Sequence, residues 1–81
     1  MTQYISLTTT PVKMPKGKVG TYITVEQGAN PRYAIGATSP DPATGYHVLR
    51  ETSLYAEDGI TIWMWLAEGA FPTAVTVSPL D

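Results

Sequence analysis

The strongest constraint on the fold is an alternating apolar stretch at residues 60–66. Successive side chains of a β-strand point to opposite faces of the sheet. As a strand, this stretch has an aliphatic face (Ile60, Ile62, Met64 and Leu66) and a second face (Thr61, Trp63 and Trp65). The aliphatic face suits a core. The second face, which carries both tryptophans, predicts either burial under another layer of the same chain or contact with another chain.

The residues around this stretch predict its partner strand. Glu57-Asp58-Gly59 precedes it as a turn, and a second turn at Gly69 leads into the alternating residues 73–77. Glycine in a turn between alternating runs is typical of antiparallel strands. We expect residues 57–80 to form a β-hairpin.

The rest of the chain predicts four further short strands, with proline and glycine punctuating it about every ten residues. Residues 8–18 contain Pro11 and Pro15 and are expected to be a Pro/Lys-rich loop or arm without ladder pairing, since proline lacks the backbone donor. Residues 39–45 are a loop. The further strands are expected at 2–7, 18–26, 32–38 and 46–55, the last as one strand or as two that are bent near residues 50–53.

These signals together predict a single all-β domain over residues 1–81. No 3.6-residue apolar period lasts longer than two turns, which disfavours helices. We expect a small antiparallel β-sandwich or jelly-roll-like barrel of about six strands, with little or no helix.

Length and composition favour a domain completed by neighbours. A chain of 81 residues buries roughly two-thirds of its surface or less, so its core is thin. Small domains usually gain stability from disulfides, metals or oligomerisation. The chain has no cysteine and one histidine, and only 15% of its residues are charged against 43% hydrophobic. Oligomerisation is therefore the expected source of additional stability.

The same numbers argue against several classes of partner. A formal net charge of −2 makes nucleic acid a poor partner. No apolar run approaches the ~18 residues of a membrane span, and the first residues show neither the basic nor the apolar region of a signal peptide. We expect no nucleic-acid or membrane partner, and a protein that is kept in a cytoplasm or assembled into a larger structure there.

No motif predicts catalysis, cofactor binding or a metal site. General acid–base chemistry by His47 would need a hydrogen-bonded partner, and its neighbours are those of a strand start, so a surface or packing histidine is expected. The carboxylates fall mostly in predicted turns and strand ends, where they solubilise or support turns. We therefore predict that the chain is not an enzyme and that it has no catalytic, cofactor-binding or metal-binding site.

The candidate binding residues are aromatic and basic. Trp and Tyr are enriched at protein–protein hot spots, and the Pro-stiffened arm carries lysines that could contact an acidic neighbour. A solvated loop and a sugar-stacking aromatic platform are the alternatives to these roles. The interface candidates are Trp63, Trp65, Tyr55, Tyr22, Lys13 and Lys16.

Four segments together resemble the small structural proteins of tailed bacteriophages, which are cysteine-free and rich in Thr, Gly and Ala. The segments are residues 34–40, 45–51, 60–65 and 74–77, and the resemblance covers roughly residues 33–78. It implies a non-catalytic virion protein, with a capsid decoration (cement) protein on the outside of the head as the first expectation. A homotrimer bound to the major capsid protein or another virion protein would follow.

The resemblance leaves other functions open. A small tail or head-fibre component, or a glycan-binding module, is the first alternative. A phage-encoded inhibitor of a host protein is the second, although such an inhibitor would be expected to be more acidic.

Overall fold

The computed structural model describes residues 1–81 and contains β-strands without any helix. Two of the strands have only two residues. In chain order the strands are β1 (Gln3–Leu7), β2 (Val12–Lys13), β3 (Gly20–Val25), β4 (Arg32–Ile35), β5 (His47–Val48), β6 (Ser53–Glu57), β7 (Ile62–Trp65) and β8 (Thr73–Leu80).

The strands form two antiparallel sheets of four strands each. Sheet A has the order β1-β8-β3-β6, and sheet B has the order β2-β7-β4-β5. The all-β antiparallel fold class predicted from the sequence is confirmed. The strand count is eight and not about six, because β2 was not expected and residues 46–55 form two strands.

The core lies between the facing sides of the two sheets. In sheet A the buried positions alternate along β3 and β8, as expected for strands with one buried face. The core cluster comprises Leu7, Met14, Ile23, Val25, Leu49, Ala56, Ile62, Met64, Leu66, Val75 and Val77. The aliphatic row of residues 60–66 thus enters the core, with Ile60 partly buried at its margin.

The predicted hairpin of residues 57–80 is wrong. Strand β7 pairs with β2 and β4 in sheet B, whereas β8 pairs with β1 and β3 in sheet A. Beyond the end of β7, the Leu66 N–H donates to the carbonyl of Thr8, which lies between β1 and β2, at 2.7 Å. Residues 67–72 then cross between the sheets, and Pro72, which lacks a backbone donor, lies in this crossing. Alternation specified the faces of both strands but not their partners.

The expectation for residues 8–18 needs a similar correction. Val12 and Lys13 pair with Met64 and Trp63, and the next residue, Met14, donates its N–H to the Ile62 carbonyl at 2.8 Å. The Met14 side chain is 3% exposed and belongs to the core. Val12 and Lys13 therefore form an edge strand of sheet B, bracketed by the prolines at 11 and 15, whereas the rest of residues 8–18 lies outside the strands as expected.

Residues 46–55 contribute to two strands, β5 and β6, which is one of the two arrangements expected from the sequence. Strand β5 lies in sheet B and β6 in sheet A, so the bend near residues 50–53 carries the chain from one sheet to the other. Leu49, 2% exposed, enters the core at the bend and donates its N–H to the Pro31 carbonyl at 2.8 Å.

Candidate functional site

The tryptophan-bearing face of β7 is covered by the chain itself. Residues 36–46, which connect β4 to β5, lie over it and are called here the covering loop. The Trp63 indole N–H donates to the Gly36 carbonyl at 3.0 Å, and the Trp65 indole N–H donates to the Pro42 carbonyl at 3.2 Å. Both tryptophans thus hold the covering loop, one at its start and one near its middle.

Tyr46 at the end of the covering loop and Arg32 of β4 complete the surroundings of Trp65. The Tyr46 ring meets the Trp65 indole edge-on at 6.2 Å between centroids. The Arg32 guanidinium lies 4.1 Å from the centre of the Tyr46 ring, a cation–π contact. Arg32 also donates to the Pro42 carbonyl at 3.2 Å, so this carbonyl accepts from two side chains. Trp65 is consequently 0% exposed.

This burial corrects the expectation for Trp65 as a contact to another chain. A fully buried side chain presents no surface to a partner, and the indole has its hydrogen-bond partner within the domain. Trp63 is partly exposed, because the covering loop reaches it only at Gly36. The alternative in which both faces of β7 are buried within one chain therefore describes Trp65 fully and Trp63 in part.

The two lysine candidates lie beside Trp63. Lys13 is exposed and stands opposite Trp63 in the pairing of β2 with β7. Lys16 is also exposed, and its ammonium donates to the Thr61 hydroxyl at 3.4 Å. The structure thus brings Trp63, Lys13 and Lys16 to one margin of sheet B.

The two tyrosine candidates lie on the opposite side of the molecule, on the outward face of sheet A. Tyr22 and Tyr55 stand directly opposite each other in the pairing of β3 with β6, and they are 43% and 53% exposed. The Tyr55 hydroxyl donates to the Val19 carbonyl at 3.2 Å, so its ring lies across Gly20. A side chain at Gly20 would meet that ring, since its Cβ would stand 2.8 Å from the tyrosine hydroxyl oxygen.

The residues near this tyrosine pair are mostly uncharged, but Glu57, two residues beyond Tyr55 on β6, is exposed on the same face. Ser78 stands opposite Tyr22 on β8, and the Ser78 hydroxyl lies 2.9 Å from the Thr2 hydroxyl. Val19 is 54% exposed. We call these five residues the tyrosine patch: Thr2, Val19, Tyr22, Tyr55 and Ser78. None of the five carries a charge, and exposed tyrosine side chains are typical of contact surfaces.

Sequence reasoning missed one exposed aromatic side chain on this face. Tyr4 of β1 is 78% exposed and stands opposite Thr76 of β8. The sequence did contain a signal for this exposure, because alternation in residues 2–7 puts Tyr4 on the opposite face of the strand from Ile5 and Leu7. What the sequence lacked was the neighbour relation between β1 and β8, which puts Tyr4 on the same face as the tyrosine patch.

Titratable side chains do not converge on one point. His47 is exposed, and its ring centre is 5.1 Å from that of Tyr33, a packing contact. Asp41 accepts the Ala43 N–H at 2.8 Å and thereby forms a turn within the covering loop. The structure has no group of three or more His, Cys, Asp or Glu side chains placed to hold a metal ion. It also has no helix with the length and apolarity to cross a membrane.

No protein-family model, curated protein or solved structure matches this chain. The fold and the surfaces described above are therefore the basis for a functional proposal.

Proposed function

We propose that this chain is a non-catalytic structural protein of a bacteriophage particle, a decoration protein that binds the outside of the head through the tyrosine patch. The observation that carries the proposal is the directly opposed pair of Tyr22 and Tyr55, large and exposed on a rigid sheet. Tyrosine contributes large contact area at a low cost in side-chain entropy. The phage setting rests on the resemblance of residues 33–78.

Rigidity supports the choice of this surface over the covering loop. The patch spans β8, β3 and β6, with two central strands paired on both sides. A preorganised surface loses less conformational entropy on binding than a loop that must first be ordered. Each Å² of apolar area buried there would contribute about 25 cal/mol before the costs of association are subtracted.

The proposal includes self-association, with a homotrimer as the expected form. Edge strands that carry charge or proline resist pairing with another chain. Strand β2 has Lys13 with flanking prolines, β6 ends in Glu57, and β5 has only two residues. Strand β1, by contrast, has neither charge nor proline in its five residues. Its open edge supports lateral contact between copies.

Mass spectrometry of purified particles of the phage that encodes the chain tests the main proposal. The expected result is a stoichiometric component present in many copies per particle. Absence from the particle contradicts the proposal, and a copy number of only a few would move the protein to the tail or a head fibre. A Tyr22→Ser protein added to particles that lack the native protein should bind at least tenfold more weakly than the unaltered one.

Light scattering tests the self-association. The expected mass is three times the 8.7 kDa of one chain, and a monomer at high concentration would contradict it. Ser6→Lys places a charge on the β1 edge and should lower the association. Ser53→Lys, on the β6 edge of the same sheet, is the matched control and should leave it unchanged.

A further inference from the structure

An open groove of about 460 Å³ crosses the outward face of sheet A, beyond the tyrosine patch. Tyr4 forms one wall, and the turn after β3, residues 26–29, forms the other. Ala74 and Thr76 of β8 lie between them. The volume falls within the roughly 300–1,000 Å³ typical of small-molecule sites.

The groove follows from the strand order and the sizes of the side chains. Strand β8 lies between β1 and β3, and its outward residues here are small. Tyr4 stands opposite Thr76, which in turn stands opposite Thr24 of β3. Directly opposed residues have Cβ atoms about 4.5–5.5 Å apart. A large ring on β1 next to small residues on β8 therefore leaves a channel with one aromatic side.

The turn opposite Tyr4 supplies hydrogen-bonding groups. Glu26 and Gln27 are exposed and line the groove together with Thr24. The Ala29 N–H donates to the Glu26 carbonyl at 3.1 Å, and Gly28 adopts a φ of 84°, which fixes the turn. Carboxylate, amide and hydroxyl groups together offer both donors and acceptors.

We propose that this groove binds a neutral saccharide. A pyranose has one face of C–H groups and a rim of hydroxyls. Tyr4, 78% exposed, would pack its ring against the C–H face, while Glu26 and Gln27 bind the hydroxyl rim across the groove. An aromatic ring has a negative face that attracts polarised C–H groups.

The composition of the groove selects this ligand class over others. Its eleven lining residues include one carboxylate and neither lysine nor arginine, so an anionic ligand such as a phosphate ester lacks a positive partner. Four of the eleven are hydrophobic, which is few for the predominantly apolar lining of lipid-like or drug-like ligands. A neutral ligand with many hydroxyl groups needs no positive partner and can form hydrogen bonds with the mostly polar lining.

The test is a titration of the ¹⁵N-labelled full chain followed by NMR. The probes are lactose, maltose, cellobiose and N,N′-diacetylchitobiose, each added separately up to about 50 mM. At least one is expected to shift the amide signals of residues 24–29 and 73–76, with a dissociation constant on the order of 1 mM, as befits a small ligand in an open site. Absence of such shifts for all four saccharides overturns the proposal.

Variants locate the binding to the two walls. Tyr4→Ala should raise the dissociation constant at least tenfold, and Tyr4→Phe should keep it within about threefold, because the ring and not its hydroxyl packs on the sugar. Glu26→Ala should raise it severalfold. Tyr22→Ala, an exposed tyrosine on the same face but outside the groove, is the matched control and should leave it within twofold.

Two outcomes with the variants would also overturn the proposal. One is an unchanged affinity of Tyr4→Ala for the saccharide, with a well-dispersed spectrum that shows a folded protein. The other is an equal loss of affinity in Tyr22→Ala.

Saccharide binding does not depend on the virion role proposed above. Tyr22→Ser is expected to weaken particle binding, whereas Tyr4→Ala is expected to weaken saccharide binding at least tenfold, so the two proposals can fail separately.

Discussion

Replacing Trp65 by phenylalanine tests whether the buried indole holds the covering loop on sheet B. Trp65 is 0% exposed, donates to the Pro42 carbonyl at 3.2 Å and meets Tyr46 edge-on. Phenylalanine keeps an aromatic ring in the site but removes the indole N–H and leaves space where the second ring was. The loop should lose one of its attachments, while the core between the sheets stays intact.

The expected loss of stability is about 2.5 kcal/mol. A lost hydrogen bond contributes roughly 1 kcal/mol, and the missing ring atoms equal about two CH₂ groups at about 0.8 kcal/mol each. A domain of 81 residues has a total stability of roughly 4–12 kcal/mol. At about 4–8 °C per kcal/mol for a domain of this size, Tm should fall by about 10–20 °C.

Urea unfolding followed by circular dichroism measures this loss, and Trp63→Phe is the matched control. Trp63 also donates its indole N–H to a loop carbonyl, at 3.0 Å, but its side chain is partly exposed. The Trp63→Phe variant should lose only about 1 kcal/mol in free energy of unfolding, mainly because it lacks this hydrogen bond. Equal losses in the two variants, or a loss below about 0.5 kcal/mol for Trp65→Phe, would refute the role assigned to the buried indole.

Three further substitutions, one of them with a matched control, test other contacts. Gly17→Ala should destabilise the domain by about 1–3 kcal/mol, since its Cβ would overlap the backbone of Leu80, whereas Gly36→Ala, with open space around it, should be nearly neutral by thermal unfolding. Thr21→Val should cost about 1 kcal/mol in urea unfolding, because the 3% exposed hydroxyl would no longer donate to the Pro15 carbonyl at 3.3 Å; an unchanged midpoint would contradict this. Arg32→Met should cost about 1 kcal/mol and speed amide exchange in residues 40–46, as it removes the guanidinium from Tyr46 and Pro42; unchanged exchange would show that the loop does not depend on Arg32.

The sequence predicted the fold class and the buried faces of most strands, because these follow from local alternation. Ile62 and Met64, for example, are buried on the aliphatic face predicted for residues 60–66. Strand partners were less predictable. Residues 57–80 have the local pattern of a hairpin, yet β7 and β8 belong to different sheets. The strand partners involve residues far away in sequence, such as Val12 and Ala34, which pair with Met64 and Trp63.

The candidate site was predictable in residue type but not in position. Aromatic side chains were expected to mark a contact surface, and the sequence offered the two tryptophans as its centre. An indole has one donor, and a buried donor requires an acceptor. The loop of residues 39–45, which the sequence did identify, supplies that acceptor at Pro42. Nothing local to β7 indicates that this distant loop folds back over it.

Covering the tryptophans has a consequence for where a partner would bind. With Trp65 enclosed, the largest exposed aromatic side chains on any one sheet face are those of sheet A, at Tyr4, Tyr22 and Tyr55. All three are tyrosines, whose polar hydroxyl makes exposure less costly than it would be for tryptophan or phenylalanine. The chain thus encloses Trp65 under a loop and presents tyrosines on an open sheet face, while Phe71, 89% exposed, lies in the crossing between the sheets. In the contact proposed for the tyrosine patch, each exposed ring would therefore bring a hydroxyl that can form a hydrogen bond across the interface.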